Sequence, residues 1–186
     1  MSDTHLTEKR PDDARSLILR NAHPEEHEAV AQVIRAAYSE YLPRLSEERR
    51  GRYLDRTADV GSRLEGSDLI VAELDGRIVG TLTFFANQPD ASVGGWPVGW
   101  AGLRVLAVDP ETRGWGIGRK LMEESIHRAR ASGAIAVGLH TTEMMAIARA
   151  MYERMGFVRV PDLDFHPSSG NPVIAYRYDL AEGEQK

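Results

Sequence analysis

The sequence contains no cysteine, and this absence excludes several kinds of chemistry at once. Disulfide bonds, thiolate zinc sites and a cysteine nucleophile all require that residue. No apolar run approaches the roughly 20 residues that a membrane-spanning helix needs. Residues 1–15 are polar, without the apolar core of a signal peptide or an anchor. We therefore expect a cytoplasmic protein that has no membrane partner.

Basic residues are also too few for a general nucleic-acid-binding protein. Lysine and arginine total 23 against 28 acidic residues, which gives a net charge of −5, whereas nucleic-acid binders carry a basic stripe. The six histidines lack the spacing of a zinc-binding helix, so we predict no metal. We expect one domain at residues 16–181, between a flexible N-terminal segment at 1–15 and a flexible tail at 182–186.

Hydrophobic periodicity predicts an α/β fold in which a mixed sheet carries helices on both faces. We predict strands at 16–20, 68–74, 77–85, 100–108, 134–142, 157–160 and 172–180, and helices at 24–38, about 46–63, 114–132 and 145–155. Asp75-Gly76, between the second and third strands, is a strong hairpin signal.

Gly114, Gly116 and Gly118 lie between a strand and a strong helix. A helix N-terminus presents unpaired N–H groups and favours negative charge, and glycines let a phosphate approach those groups. Arg113 and Arg119 flank the loop and add positive charge. The sequence fits neither the P-loop nor the dinucleotide-binding pattern. The alternative interpretation is a glycine-rich turn that only packs tightly.

Two motifs carry a resemblance to a known family. Residues 106–110 are followed by Arg113-Gly114-Trp115-Gly116-Ile117-Gly118, and residues 148–157 read ARAMYERMGF. Together they resemble the acetyl-CoA motif and the second motif of the GCN5-related N-acetyltransferase (GNAT) superfamily. The resemblance is specific over residues 104–157. It implies a mixed, mostly antiparallel sheet flanked by helices on both faces.

The resemblance implies acetyl-CoA as the co-substrate. Backbone groups of Leu106, Ala107 and Val108 would pair with the pantetheine arm, on a strand that a bulge separates from the strand at 134–142. Amides of the loop from Gly114 to Arg119 would hold the pyrophosphate. The implied cofactor-binding residues are Leu106, Ala107, Val108, Arg113, Gly114, Trp115, Gly116, Ile117, Gly118 and Arg119. A homodimer is a common arrangement in the family, and the oligomeric state stays open.

Tyr152 matches the tyrosine that donates a proton to the leaving sulfur in the resembled family. It precedes Gly156-Phe157 by four residues. The alternative is a core tyrosine on an amphipathic helix.

The general base is less clear, because residues 100–108 lack the glutamate that many family members carry there. His140 is our candidate, since a histidine titrates near neutral pH. Strand alternation places Gly138 on the same face, where we expect room for substrate. A structural role for His140, Glu143 as the base, and a water chain remain alternatives. Met145 occupies the place of a family asparagine, so we expect that cofactor contact to be absent.

The expected acceptor is a primary amine on a small molecule or a peptide N-terminus. Trp96, Trp100, Tyr38 and Tyr41 are candidates to line its pocket, because aromatic faces suit a cation or an apolar amine. The favoured alternative is that each of them belongs to an ordinary core. The alternative function is a non-catalytic module of the same fold that binds acyl-CoA as a sensor or docking domain.

Overall fold

A computed structural model describes residues 16–86, 95–167 and 172–180. The predicted flexible segments at 1–15 and 182–186, and most of the loop at 86–99, lie outside these residues. Within them the chain forms the strands β1 (Leu17–Asn21), β2 (Asp68–Leu74), β3 (Arg77–Phe85), β4 (Trp100–Val108), β5 (Ala136–Thr142), β6 (Val158–Arg159) and β7 (Val173–Asp179). The α-helices are α1 (His27–Tyr38), α2 (Glu47–Ala58), α3 (Ile117–Ala131) and α4 (Ala146–Arg154).

The strands form one mixed sheet in the order β1-β2-β3-β4-β5-β7-β6. The pairing of β4 with β5 is parallel, and the other pairs of strands are antiparallel. This confirms the predicted fold class. β2 and β3 join through Asp75 and Gly76, whose φ angles of 50° and 80° suit the tight hairpin turn that the dipeptide predicts.

The predicted elements are present, with ends shifted by a few residues. The shift that concerns the site is at α3, which begins at Ile117 and not at Gly114. Gly114 and Gly116 adopt φ angles of 84° and 76°, which a right-handed helix does not use. The glycines therefore form the turn that leads into the helix.

Helices cover both faces of the sheet because successive strand residues point to opposite sides. On β2, Ile70 and Ala72 belong to the larger core beneath α3, whereas Leu69 and Val71 pack against α1. A third, smaller cluster surrounds Trp96 and Trp100 at the end of the sheet where β4 begins. No helix in the described parts of the chain is long and apolar enough to cross a membrane.

A β-bulge in β4 sets up the site. Between the pairs Thr81↔Ala107 and Thr83↔Arg104, β4 contains one residue more than β3. Val105 in the bulge has a φ of 52°, a rare and strained value for a β-branched residue. The extra residue reverses the side-chain alternation: Leu103 faces the α3 side and Ala107 faces α1. Such bulges re-aim side chains and often lie beside functional sites.

Candidate active site

The parallel strands β4 and β5 separate at the bulge. Their last pair is Leu103↔Leu139, although β4 continues beside β3 to Val108 and β5 continues beside β7 to Thr142. The edges of β4 and β5 that face each other beyond Leu103 are therefore open. Leu106, Ala107 and Val108, the predicted pantetheine-binding residues, lie along this open edge.

Tyr38 reaches the same opening from the end of α1. Its hydroxyl donates a hydrogen bond of 3.2 Å to the carbonyl oxygen of Leu106. Its ring contacts Tyr41 and Tyr53, with centroids 5.9 and 6.2 Å away. Tyr38 thus positions aromatic side chains beside the open edge of β4.

The glycine-rich turn lies at the end of β4 and leads into α3. A Cβ atom built on Gly114 or Gly116 would meet no other atom within 4 Å, so space is open on this side of the backbone. The first intrahelical hydrogen bond runs from Lys120 N to Gly116 O at 3.0 Å. The N–H groups of Ile117, Gly118 and Arg119 therefore have no carbonyl partner inside the helix.

The charges around the turn also favour an anion. The first turn of α3 contains no acidic residue, although acidic residues are favoured at a helix N-terminus. Arg119 and Lys120 follow directly, and Arg119 donates to Glu123 at 2.7 Å. The side chain of Trp115 is about half exposed. The turn thus combines positive potential, available amides and open space, which is what a pyrophosphate requires.

Arg113 makes contacts that the sequence did not predict. Its guanidinium donates to both carboxylate oxygens of Glu40, at 2.7 and 3.0 Å, and to the carbonyl oxygen of Ala37. Burial alone would raise the pKa of Glu40, but hydrogen bonds from Arg113 and Tyr41 outweigh it and lower that pKa. Arg113 therefore connects the glycine-rich turn to the end of α1.

Tyr152 lies on α4 and is only 7% exposed. Its ring packs against Phe157 and Tyr176, with centroids 5.9 and 6.4 Å away. Burial is the main cause of a raised pKa, and the neighbouring Tyr41 adds to it. The phenol is therefore held in its protonated form, which a proton donor requires.

His140 follows the last β4–β5 pair on β5. Its Nε2 lies 3.1 Å from the carbonyl oxygen of Leu163, so Nε2 carries the proton and Nδ1 is the unprotonated nitrogen of the neutral ring. The ring stacks on Trp96 at 4.2 Å and meets the edge of Phe165 at 5.1 Å. Burial lowers the pKa of His140 below 6.5; Arg104 also lowers it, against opposing effects of Leu163 and Asp164.

A pocket of about 250 Å³ opens beside His140, and both Tyr38 and Trp96 line it. Trp100 stacks on Trp96, with ring centroids 5.8 Å apart, and the rings of Tyr41 and Tyr38 pack edge to face. The expectation of substrate space over Gly138 is wrong. A Cβ atom built on Gly138 would lie 2.4 Å from the ring of Trp96, so Trp96 fills that space.

The structure does not bring the two candidate catalytic residues into one pocket lining. His140 lines the pocket, whereas Tyr152 is buried outside its lining, near enough to Tyr38 to affect the pKa of that residue. The Glu143 side chain is exposed and is not among the lining residues. In the described parts of the chain, no three acidic or histidine side chains converge as a metal site would require.

Sequence reasoning missed five lining residues with polar groups, namely Tyr53, Thr57, Arg104, Thr141 and Thr142. The available signal was the single arginine of β4, in an otherwise apolar strand. The Tyr53 hydroxyl and Thr142 Oγ1 are buried without a hydrogen-bond partner among the described residues. The pocket therefore contains polar groups that the described part of the chain leaves unsatisfied.

Solved structures share this fold. The PaiA N-acetyltransferase from Thermoplasma acidophilum, crystallised with coenzyme A, superposes with a TM-score of 0.69 at 17% identity, over 88% of this chain and 99% of its own. A GNAT family acetyltransferase from Brucella melitensis, crystallised with acetyl-CoA, gives a TM-score of 0.54 at 27% identity, over 77% of this chain and 83% of its own.

Sequence comparisons agree with the fold. The mycothiol acetyltransferase of Thermomonospora curvata is 36% identical over 91 residues, which are 49% of this chain and 28% of that protein. The chain thus spans less than a third of that relative's length. The model of the acetyltransferase (GNAT) family matches residues 28–157, which include both strands of the opening, the glycine-rich turn and Tyr152. Because this match covers more than half of the chain, the protein belongs to the acetyltransferase (GNAT) family.

Proposed function

We propose that this protein transfers an acetyl group from acetyl-CoA to a primary amine, by direct attack of the amine in a ternary complex. The observation that carries the proposal is the opening between β4 and β5. The glycine-rich turn follows the end of β4, and residues at the place where the two strands separate line the pocket that contains His140. One opening can therefore receive both a thioester and an amine.

The residues present fit the co-substrate. Leu106, Ala107 and Val108 offer an open backbone edge to the pantetheine arm. The turn from Gly114 to Arg119 offers amides and space to the pyrophosphate. The Thermoplasma and Brucella structures, which contain coenzyme A and acetyl-CoA, support this assignment.

The chemistry is acyl transfer, in which a C–N bond forms and the thioester C–S bond breaks. His140 is the proposed base: Nδ1 of its neutral ring accepts the proton that the attacking amine loses. Tyr152 is the proposed acid, and its hydroxyl protonates the departing sulfur. Both residues begin in their neutral forms, which burial favours.

The experiment is a measurement of free thiol release from acetyl-CoA, with a panel of amines and mass spectrometry of the product. Thiol release that requires an amine and matches the amount of acetylated product supports the proposal. The missing glutamate on β4 favours one alternative, a non-catalytic acyl-CoA-binding module. That alternative predicts binding of acetyl-CoA without any amine-dependent release of thiol.

A further inference from the structure

Arg104 lies where the two strands separate. It follows Leu103, the last residue of β4 that pairs with β5, and its side chain lines the pocket together with His140. The lining of the pocket therefore includes a positive charge at the point where β4 leaves β5.

Arg104 has no partner in the described parts of the chain. The ion pairs found there involve other arginines, and no hydrogen bond joins the Arg104 side chain to a described residue. Burial is the single cause of a lowered pKa at its guanidinium, which nevertheless stays charged at neutral pH. A half-buried cation without an anion is unusual in a folded protein.

Further unsatisfied groups surround this charge. The Tyr53 hydroxyl and Thr142 Oγ1 line the same pocket and are buried without a hydrogen-bond partner. Arg63, which is 8% exposed, has Nε and Nη2 unpartnered. Burial lowers the pKa of Arg63, and the positive charge of Arg104 adds to this effect. Such groups are expected to meet a partner, and here the partner is not part of the described protein.

The described lining of the pocket contains no aspartate or glutamate, and Arg104 is its one permanently charged residue. Polyamines and aminoglycosides carry several positive charges and would be repelled here. A carboxylate is the natural partner, because the planar guanidinium can donate two parallel hydrogen bonds to it. The cavity of about 250 Å³ is smaller than the usual range of drug-sized ligand pockets. An acceptor the size of a single amino acid fits this volume.

We infer that the acceptor is a small amine that also carries a carboxylate, such as a free amino acid, and that Arg104 binds this carboxylate with help from Tyr53 and Thr142. The inference rests on the proposed function. Binding of the carboxylate at Arg104 directs the amine of the same molecule towards His140, which lines the same pocket. Arg104 therefore determines specificity, and the acid–base chemistry belongs to other residues.

The first experiment compares acceptors in matched sets of three: an amino acid, its primary amide, and the amine that lacks the carboxyl group. A polyamine and an aminoglycoside complete the panel. We expect kcat/KM for the amino acid to exceed the values for its amide and for the amine without a carboxyl group by at least about 30-fold. Equal rates within the sets, or a polyamine as the best acceptor, overturn the inference and leave the proposed function intact.

The second experiment uses Arg104→Met with Arg128→Met as a matched control. Arg128 is also half-buried but has carboxylate partners in Asp68 and Glu124. Arg104→Met should remove the preference for the carboxylate and leave the melting temperature equal to or above that of the wild type, because an unpaired buried charge is lost. Arg128→Met should keep the preference and melt at a lower temperature. A fall of more than about 4 °C in Arg104→Met would show a structural role and overturn the inference.

A third measurement separates the failure of this inference from failure of the proposed function. If acetyl-CoA binds and no amine is acetylated, the proposed function fails. Calorimetry on the protein loaded with coenzyme A then compares N-acetylated amino acids with their primary amides. Binding of the acids that depends on Arg104 supports the anion site, and equal or absent binding overturns it.

Discussion

Burial changes the pKa values of Tyr152 and His140 in opposite directions, and both changes favour the neutral form. Removal from water raises the pKa of the phenol and lowers the pKa of the imidazole, because the charged form of each loses hydration. In the proposed mechanism, acetyl transfer between neutral reactants requires a neutral acid and a neutral base. The proposed roles therefore make separate predictions for each residue.

The variant Tyr152→Phe retains the ring and its packing but lacks the hydroxyl. We expect kcat to fall by roughly 10 to 1,000-fold, a range typical of a missing positioned acid, while the affinity for acetyl-CoA changes little. Tyr176→Phe is the control, because it removes another tyrosine hydroxyl of the same cluster, one that donates to Glu153. Steady-state kinetics and acetyl-CoA titration check both variants. Wild-type turnover in Tyr152→Phe would rule out the acid role.

The proposed role of His140 as a base predicts that kcat/KM depends on pH. A base must be unprotonated, so kcat/KM should rise with pH through the pKa of His140, which burial places below 6.5. A second rise near the pKa of the free amine, about 10 for an alkylamine, should remain separate. His140→Gln should remove the lower rise and retain the upper one. His127→Gln, which changes an exposed histidine on α3, should alter neither. A lower rise of full height in His140→Gln would assign His140 a structural role.

At the level of elements, α3 offers a matched pair of glycines. Gly116 precedes the helix and Gly133 follows it; each has a φ of 76°, and a Cβ atom on either would meet nothing within 4 Å. Alanine at either position should cost about 1–2 kcal/mol, because a left-handed conformation disfavours a Cβ atom. Only Gly116→Ala should also reduce the rise in melting temperature that acetyl-CoA produces. Thermal unfolding with and without acetyl-CoA measures both effects, and equal rises in the two variants would contradict the pyrophosphate assignment.

The secondary structure could be predicted from local patterns, because alternating and helical periodicities, the Asp75-Gly76 turn and the glycines at helix ends are all local signals. The resemblance implies a bulge in β4, but its position at Val105 could not be predicted, because no glycine or proline marks it in the sequence. The ion pair of Arg113 with Glu40 and the packing of Trp96 on Gly138 join residues 73 and 42 positions apart, respectively. Such contacts follow from the way the sheet is assembled, and a local pattern does not contain them.

The residues of the proposed acceptor site also could not be predicted from local sequence patterns. The family motifs point to the glycine-rich turn and to Tyr152, since both lie in short stretches that the resemblance covers. Arg104 attracts attention only once the structure shows that it lines a pocket and has no carboxylate partner among residues 16–86, 95–167 and 172–180. Acceptor choice therefore depends on residues from several strands and helices, and a short motif does not encode it.

At the scale of the whole molecule, one ion pair connects the closing strands to the orientation of His140. Arg159 donates to both oxygens of Asp164, at 2.8 and 2.7 Å, and Asp164 Oδ1 also accepts from the backbone N–H of Ala175 on β7. These bonds hold the segment that contains Leu163, whose carbonyl oxygen contacts His140. The hydrogen bond from Arg159 is the largest cause that lowers the pKa of Asp164, to about 2.

This ion pair predicts acid sensitivity. Because the pKa of Asp164 is lower in the folded than in the unfolded chain, the unfolded chain binds more protons between these two values. Stability from Asp164 should be fully present above about pH 4 and should be lost as the pH falls towards about 2. Asp164→Asn should unfold more easily at neutral pH and should lose less stability on acidification. Urea unfolding at several pH values checks this, and parallel pH curves for the two proteins would contradict it.

The central claim is that thioester and acceptor meet where β4 and β5 separate, and a crystal structure of the complex with coenzyme A tests it most directly. We expect the pantetheine arm along Leu106–Val108, the pyrophosphate on the amides that follow Gly114, and the sulfur within hydrogen-bond reach of the Tyr152 hydroxyl. Coenzyme A bound elsewhere, or a sulfur atom remote from Tyr152 and from the pocket of Arg104 and His140, would contradict the account.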